Sequence, residues 1–205
     1  MTAPPPAGSA LQAPSSPAER SLLGSSYLFV SNAGSNTVTA IDSTTDEAVT
    51  RIDVGKRPLG LQVSPDGRAL YVALSGSPRA GSGMDVSKLS PAPGQDGIGW
   101  INLSRGRLVA VLGSGPEPEA FDVTPDGTML YVSNEASSQA TVLDIGARQT
   151  VLTLSVCAEP GGVSLSPDGR FAYIACGADD RVDVVHTARS VVLKGIPTSQ
   201  RPHRI

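Results

Sequence analysis

The chain has 205 residues, a formal net charge of −3, 40% hydrophobic residues and 4% aromatic residues. It is long enough to bury a core, shows no basic stripe that would indicate a nucleic-acid-binding protein, and has no run of 18 apolar residues that could span a membrane. The 22 glycines and 17 prolines indicate many turns and therefore many short strands.

The first segment, residues 1–26, is rich in Pro, Ala and Ser. Such a segment has too little apolar surface to offset the entropy of ordering it, so the sequence predicts a disordered leader. Its first basic residue is Arg20 and no apolar stretch follows the start, so no signal peptide is visible. The segment is interpreted as a linker or tail, or as the remnant of a leader that starts upstream.

Three turns of one kind follow along the chain, with the sequence Ser/Thr-Pro-Asp-Gly at 64–67, 124–127 and 166–169. Pro presets φ at the first corner, Asp accepts hydrogen bonds from its own backbone and Gly tolerates positive φ, so each turn predicts a tight hairpin. Because the aspartates recur once per repeat and far apart, they are interpreted as turn formers, not as an acid–base pair: Asp66, Asp126 and Asp168.

An aromatic residue in a strand-like run recurs at intervals of 42, 60 and 42 residues: Phe29, Tyr71, Tyr131 and Tyr173. A proline opens each following unit: Pro58, Pro118, Pro160 and Pro202. The repeat units are therefore predicted at about 27–57, 58–117, 118–159 and 160–201. The long interval is explained by an insertion near 75–97, which is either a functional loop or a disordered segment.

Four short strands in each unit predict an all-β fold, a β-propeller of four-stranded antiparallel blades with about four blades present. In the second unit the strands are expected at about 59–63, 69–74, 98–103 and 107–112. A solenoid of parallel strands is the competing fold, and the tight hairpins argue against it because they force antiparallel pairing.

Two sequence runs, 29–32 and 131–134, resemble the YVTN repeat family, and the run 115–121 is similar to propeller proteins associated with PQQ-dependent catabolism. The resemblance covers about 27–205. It implies a bacterial, seven-bladed protein in the periplasm or outside the cell that acts in binding or assembly.

Seven blades of this size need about 290 residues, so the four repeats are expected to be part of a larger ring that has been truncated. In the alternative, residues 202–205 supply the missing first strand of blade one and close a four-bladed ring. Otherwise the end blades expose apolar faces and unpaired edges, which predicts self-association.

The loops that precede the repeat prolines share one face of the propeller, at the mouth of its channel. Four charged residues lie there: Arg57, Glu117, Glu159 and Arg201. They are interpreted either as a ligand-binding ring or as solvated loop charges.

Cys157 and Cys176 replace a repeat glycine and a repeat asparagine on the same face. The pair is either a disulfide or two independent small residues. His186 is expected at a turn and His203 next to the channel. Two isolated histidines do not make a structural zinc site, so neither a metal nor a cofactor is predicted. Trp100 is expected to pack between blades.

The sequence favours a non-enzymatic binding or scaffold protein that recognises a protein partner or a small ligand at the channel mouth. No Gly-x-Ser-x-Gly elbow for a nucleophilic serine is present. The alternatives are a lactonase-like hydrolase that uses Glu117 and Glu159, and a truncated fragment without function.

Overall fold

The computed structural model describes residues 20–24, 26–76 and 96–205. These residues form fifteen strands and two short 3₁₀ turns, at Glu135–Ser137 and Thr187–Arg189. In chain order the strands are β1 (Tyr27–Asn32), β2 (Thr37–Asp42), β3 (Glu47–Asp53), β4 (Pro58–Val63), β5 (Ala69–Leu74), β6 (Gly97–Asn102), β7 (Arg107–Leu112), β8 (Pro118–Val123), β9 (Met129–Asn134), β10 (Gln139–Asp144), β11 (Gln149–Ser155), β12 (Pro160–Leu165), β13 (Phe171–Cys176), β14 (Arg181–His186) and β15 (Val191–Pro197). None of the helical turns in these ranges has the length needed to cross a bilayer.

The strands form four separate antiparallel sheets, each made of strands that follow one another in the chain. β1–β3 form a three-stranded sheet, while β4–β7, β8–β11 and β12–β15 form four-stranded sheets. The innermost strands β4, β8 and β12 lie side by side. The predicted all-β fold of propeller blades is thereby confirmed. In the described residues the first strand of the first blade is β1, which is equivalent to the second strand of each other blade.

The Ser/Thr-Pro-Asp-Gly turns are closed by the aspartate side chain. The Oγ of Ser64 donates to the Asp66 carboxylate at 2.6 Å, and the Arg68 N–H donates to it at 3.1 Å. Asp126 and Asp168 accept the equivalent hydrogen bonds. These hydrogen bonds lower the pKa of all three carboxyl groups below the ordinary value. The aspartates are turn formers, as predicted.

The core lies between neighbouring blades because each middle strand turns alternate residues to opposite sides. On β5, Leu70 and Val72 pack toward the first blade, whereas Tyr71 packs toward the third. The Trp100 ring lies 6.1 Å from the Tyr71 ring, and the guanidinium of Arg148 in the third blade lies 5.0 Å from the Trp100 ring centre. Trp100 therefore packs between blades, as predicted.

In the described part of the predicted leader, residues 20–24 and 26, Leu22 belongs to the core. Leu22 is buried between the first two blades, and its N–H donates to the carbonyl of Leu103 at 2.7 Å. The prediction of a disordered segment over 1–26 missed this contact of Leu22. Residues 1–19, and residues 77–95 of the predicted insertion, lie outside the described residues.

Residues 201–205 form no strand and lie beside the fourth blade. The Gly162 N–H donates to the His203 carbonyl at 2.7 Å. A Cβ at Gly162 would lie 2.8 Å from the Arg204 Cα, so glycine is needed for this close approach. Among the described strands β1 pairs with β2 alone, so the four-bladed ring closed by residues 202–205 is not formed.

Candidate functional site

The four predicted ligand-binding residues share one backbone conformation. Arg57, Glu117, Glu159 and Arg201 have φ values of 46°, 51°, 49° and 49°, in the left-handed region that bulky residues rarely adopt. Three of their carbonyls accept a hydrogen bond from the residue just beyond the second strand of the same blade, at 3.0 to 3.3 Å. The turn into each innermost strand therefore has a fixed geometry, and it holds these side chains at one end of the blades.

The side chains of these residues form two ion pairs. Arg57 Nη2 lies 4.0 Å from Glu117 Oε1, and it also donates to Ser75 Oγ at 2.7 Å. Arg201 Nη2 lies 2.8 Å from Glu159 Oε2. Since each carboxylate already has a guanidinium beside it, the four residues are largely neutralised in pairs. The Arg201–Glu159 pair is exposed, and exposed pairs contribute little stability.

A cavity of about 620 Å³ lies on the inner side of the blades. Its apolar wall comes from the innermost strands and from β1: Phe29, Val30, Leu59, Leu61, Phe121 and Val163. Residues 203–205 form another part of its lining. A volume of this size is within the range of small-molecule sites, which combine an apolar wall with a few polar groups.

Three ionisable residues line this cavity: Glu119, His203 and Arg204. Glu119 Oε1 lies 3.6 Å from His203 Nε2, and the Glu119 side chain is only 11% exposed. The predicted ring residues do not line the cavity, whereas Glu119 does. Sequence reasoning placed His203 next to the channel but missed Glu119. The signal was its position directly after Pro118, which puts it on the innermost strand.

Asp122 is a second residue that sequence reasoning missed. Its carboxylate accepts a hydrogen bond from Gln62 Nε2 of the second blade at 2.6 Å and from the Leu165 N–H of the fourth blade at 2.7 Å. One side chain of the third blade thus joins three innermost strands. This role is structural, because both carboxylate oxygens are occupied by protein donors.

Cys157 and Cys176 form a disulfide with a Cα–Cα distance of 5.5 Å. In two other blades the residues at the equivalent positions also lie close together, but they are not covalently bonded. A Cβ built at Gly55 would lie 3.0 Å from Leu74 Cδ1, and one built at Gly115 would lie 2.9 Å from Asn134 Cγ. In the fourth blade both partners of this contact are cysteines.

Neither histidine belongs to a cluster of metal-binding side chains in the described part of the chain. The one such group there is Cys157, Cys176 and Asp183, and its two sulfur atoms are bonded to each other. Asp183 is instead paired with Arg181, whose Nε donates to it at 2.8 Å and whose pKa is raised by that hydrogen bond. His186 packs edge-on against Phe171 at 5.5 Å where a turn begins.

Comparison with known proteins supports the fold. No family model matches the chain. The chain is 24% identical over 168 residues to Antigen Lp49 of Leptospira interrogans. This match covers 81% of the chain and 34% of Antigen Lp49. The chain thus spans about a third of that curated relative. The resemblance to the YVTN family stays a prediction.

Two solved structures have a similar backbone. One is Kuenenia stuttgartiensis hydrazine synthase, with a TM-score of 0.70 and 23% identity, matched over 90% of this chain and 48% of that one. The other is a functionally unknown protein from Desulfotomaculum acetoxidans DSM 771, with a TM-score of 0.66 and 11% identity over 86% and 54% of the two chains. At these identities the likeness shows the shared fold alone.

Proposed function

We propose that the protein is a non-enzymatic binding protein that holds a small ligand in the cavity on the inner side of its blades. The observation that carries this proposal is the cavity itself, in which a largely buried carboxylate, Glu119, stands against an apolar wall. A carboxylate in such surroundings is poorly solvated, so a ligand with a cationic group gains more from it than from an exposed carboxylate.

In this proposal the charged residues have different tasks. The pairs Arg57–Glu117 and Glu159–Arg201 shape the rim because their charges are engaged with each other. Glu119 provides the contact inside the cavity, and His203 provides a partner that a cationic ligand group displaces. The predicted ring of four ligand-binding residues is therefore revised in this proposal to a rim, with Glu119 as the binding group.

The lactonase-like alternative depends on Glu117 and Glu159 as free carboxylates. Each has an arginine beside it, at 4.0 Å and 2.8 Å respectively, which favours the rim assignment over acid–base work. Assay of the folded protein on a panel of lactones tests this alternative. Turnover that is lost in both Glu117→Gln and Glu159→Gln would replace the binding proposal with the enzymatic one.

We also propose that the protein works in an oxidising compartment, the periplasm or the outside of the cell. The disulfide between Cys157 and Cys176 supports this, since such bonds persist in oxidising environments and are rare in the cytosol. Thiol labelling of the protein recovered from its native cell is the test. Two labelled cysteines would contradict the proposal, and none would support it.

Binding is tested by thermal shift against a panel of small amines and other cationic metabolites, followed by calorimetric titration of each hit. We expect at least one amine to stabilise the wild type and to bind at least about tenfold more weakly to Glu119→Gln, which corresponds to loss of one charge-assisted contact. Glu47→Gln, an exposed substitution on β3, is the matched control and should bind as the wild type does. Equal affinity in Glu119→Gln, or no hit at all, would contradict the proposal.

A further inference from the structure

A cleft of about 400 Å³ lies between the second and third blades, on the side of the Ser/Thr-Pro-Asp-Gly hairpins. The second blade provides Ala69, Tyr71 and the half-buried Trp100, and the third blade provides Ile145. Its two walls are neighbouring blades, so its shape does not depend on what adjoins the first or the fourth blade. It shares no lining residue with the cavity on the inner side of the blades.

The equivalent place between the first and second blades is filled by Leu22. The repeat positions that line the cleft are also the ones that surround this side chain: Phe29, Ala40 and Leu103 correspond to Tyr71, Trp100 and Ile145. Leu22 is 3% exposed, and its N–H donates to the Leu103 carbonyl at 2.7 Å. This place therefore shows what the cleft can hold, an aliphatic side chain on a backbone that donates one N–H.

The cleft has the same hydrogen-bond acceptor. The Ile145 N–H donates to the Thr128 carbonyl at 3.0 Å, just as the Leu103 N–H donates to the Arg68 carbonyl at 3.0 Å, so the two loops are held in the same way. In the described residues the Ile145 carbonyl accepts no backbone hydrogen bond, whereas the Leu103 carbonyl accepts one from Leu22. The acceptor beside the cleft is thus available to the N–H of a bound peptide.

The two places differ where the peptide backbone would enter. At Gly106 a Cβ would collide with the carbonyl oxygen of Arg20, so glycine lets this segment pass. The equivalent residue of the third blade is Arg148, and its guanidinium lies 5.0 Å from the Trp100 ring centre. Arg148 has no carboxylate within ion-pair distance among the described residues. A peptide in the cleft therefore lies over a cation that is open to a carboxylate.

We propose that the cleft docks an extended peptide of a partner protein that carries a leucine and, two positions before it, an acidic residue. The leucine takes the place that Leu22 has between the first two blades, its N–H donates to the Ile145 carbonyl, and the acidic side chain pairs with Arg148. In this chain's own segment the corresponding earlier position is Arg20, which Arg148 would repel, so a partner's peptide is favoured as the occupant.

The carboxylates of the cleft lie at its other end. Asp66 and Asp126 belong to the hairpins beside the innermost strands and accept the hydrogen bonds that close them. Arg148 lies instead in the turn before the outer strand β11. The acidic residue of the peptide is therefore expected at the outer end, away from both aspartates. This inference goes beyond the proposed ligand binding and does not depend on it.

The first test uses Trp100, which is the single tryptophan of the chain and lines the cleft, so its fluorescence reports occupation. A synthetic peptide with the sequence of residues 18–24 and the change Arg20→Glu is titrated into the full chain. We expect a saturable change in emission. Adding Leu22→Ala to this peptide should weaken binding at least about tenfold, because the buried leucine supplies the apolar contact. The unchanged 18–24 peptide should bind about three- to tenfold more weakly.

The second test reverses the charge at the outer end of the cleft. Arg148→Glu should invert the order of the two peptides, so that the unchanged 18–24 peptide binds more tightly than the one with Arg20→Glu. The matched control is Arg189→Glu, an exposed substitution on the equivalent turn of the fourth blade, and it should keep the wild-type order. Both variants should keep the circular dichroism spectrum of the wild type.

Three results would each overturn the proposal. The first is no saturable change in Trp100 emission with the Arg20→Glu peptide. The second is equal affinity after Leu22→Ala, since the cleft would then not be the site of a leucine. The third is a folded Arg148→Glu variant that keeps the wild-type order of the peptides, since the acidic residue would then not pair with Arg148.

Discussion

At the scale of single residues, the disulfide makes covalent a contact that other blades make by packing. Cys157 and Cys176 stand where Gly55 meets Leu74 and where Gly115 meets Asn134. The bond closes a loop with a sequence separation of 19 residues and joins the turn before the fourth blade to the end of β13. It therefore fixes the entry into β12 against the end of β13.

Removing this bond is expected to lower the free energy of unfolding. The double variant Cys157→Ser, Cys176→Ser should lose about 3 kcal/mol, the typical effect of a disulfide that closes a loop of this length. Urea unfolding with and without reductant measures it. Reductant should destabilise the wild type and leave the double variant unchanged, and a wild type that is indifferent to reductant would contradict the assignment.

Among the described side chains, Asp122 connects the most blades, because its hydrogen bonds join the second, third and fourth blades. In Asp122→Ala the Gln62 amide and the Leu165 N–H both lose their acceptor, so we expect a loss of about 1 to 3 kcal/mol in the free energy of unfolding. Denaturant unfolding gives the value. Glu47→Ala, on an exposed part of β3, is the control and should change stability by less than about 0.5 kcal/mol.

At the scale of elements, the entry into each innermost strand depends on a tight turn. Gly115 has a φ of +128°, and a Cβ there would lie 2.9 Å from the Asn134 side chain. Gly115→Ala is expected to cost about 1 to 3 kcal/mol of stability because both the backbone and the packing oppose the methyl group. Gly34→Ala has nothing within 4 Å of the new methyl and should be close to neutral. Equal effects of the two substitutions would contradict this account of the turn.

The hairpin aspartates predict how stability depends on pH. Their pKa is lower in the folded protein than the ordinary 3.8 because they accept hydrogen bonds there, so they stabilise the fold above that value and lose this contribution as the pH falls through the folded pKa. The variant Asp126→Asn, Asp168→Asn should show a smaller drop in the urea midpoint between neutral and strongly acidic pH. The control Glu47→Gln, Asp53→Asn removes two exposed carboxylates outside the hairpins. A drop reduced equally in both variants would contradict the assignment.

The repeat shows which features a sequence can predict. The Ser/Thr-Pro-Asp-Gly turns act over four residues and the strands alternate between two faces, so both the blades and the place of Trp100 followed from local pattern. The cavity did not, because Glu119 becomes a binding candidate only when β8 and residues 203–205 come together. The pairing of Arg57 with Glu117 was hidden for the same reason, since it joins residues of successive turns.

At the scale of the whole molecule, the blades of the described residues form a series with a buried interface between each neighbouring pair. This arrangement follows from the repeat, since every blade offers one side to its predecessor and the other to its successor. The innermost strands then line a common cavity, to which the β8 residues Glu119 and Phe121 contribute. The location of the proposed ligand site is thus a consequence of the order of the blades.

Hydrogen–deuterium exchange with and without the best ligand from the thermal-shift screen tests the central claim most directly. The account predicts that added protection is confined to the segments that line the cavity, at 29–33, 58–61, 119–121, 162–163 and 203–205, and that it is lost in Glu119→Gln. Protection at the hairpins of Asp66 and Asp126, or along the outer strands β7 and β11, would place the ligand elsewhere and contradict the account.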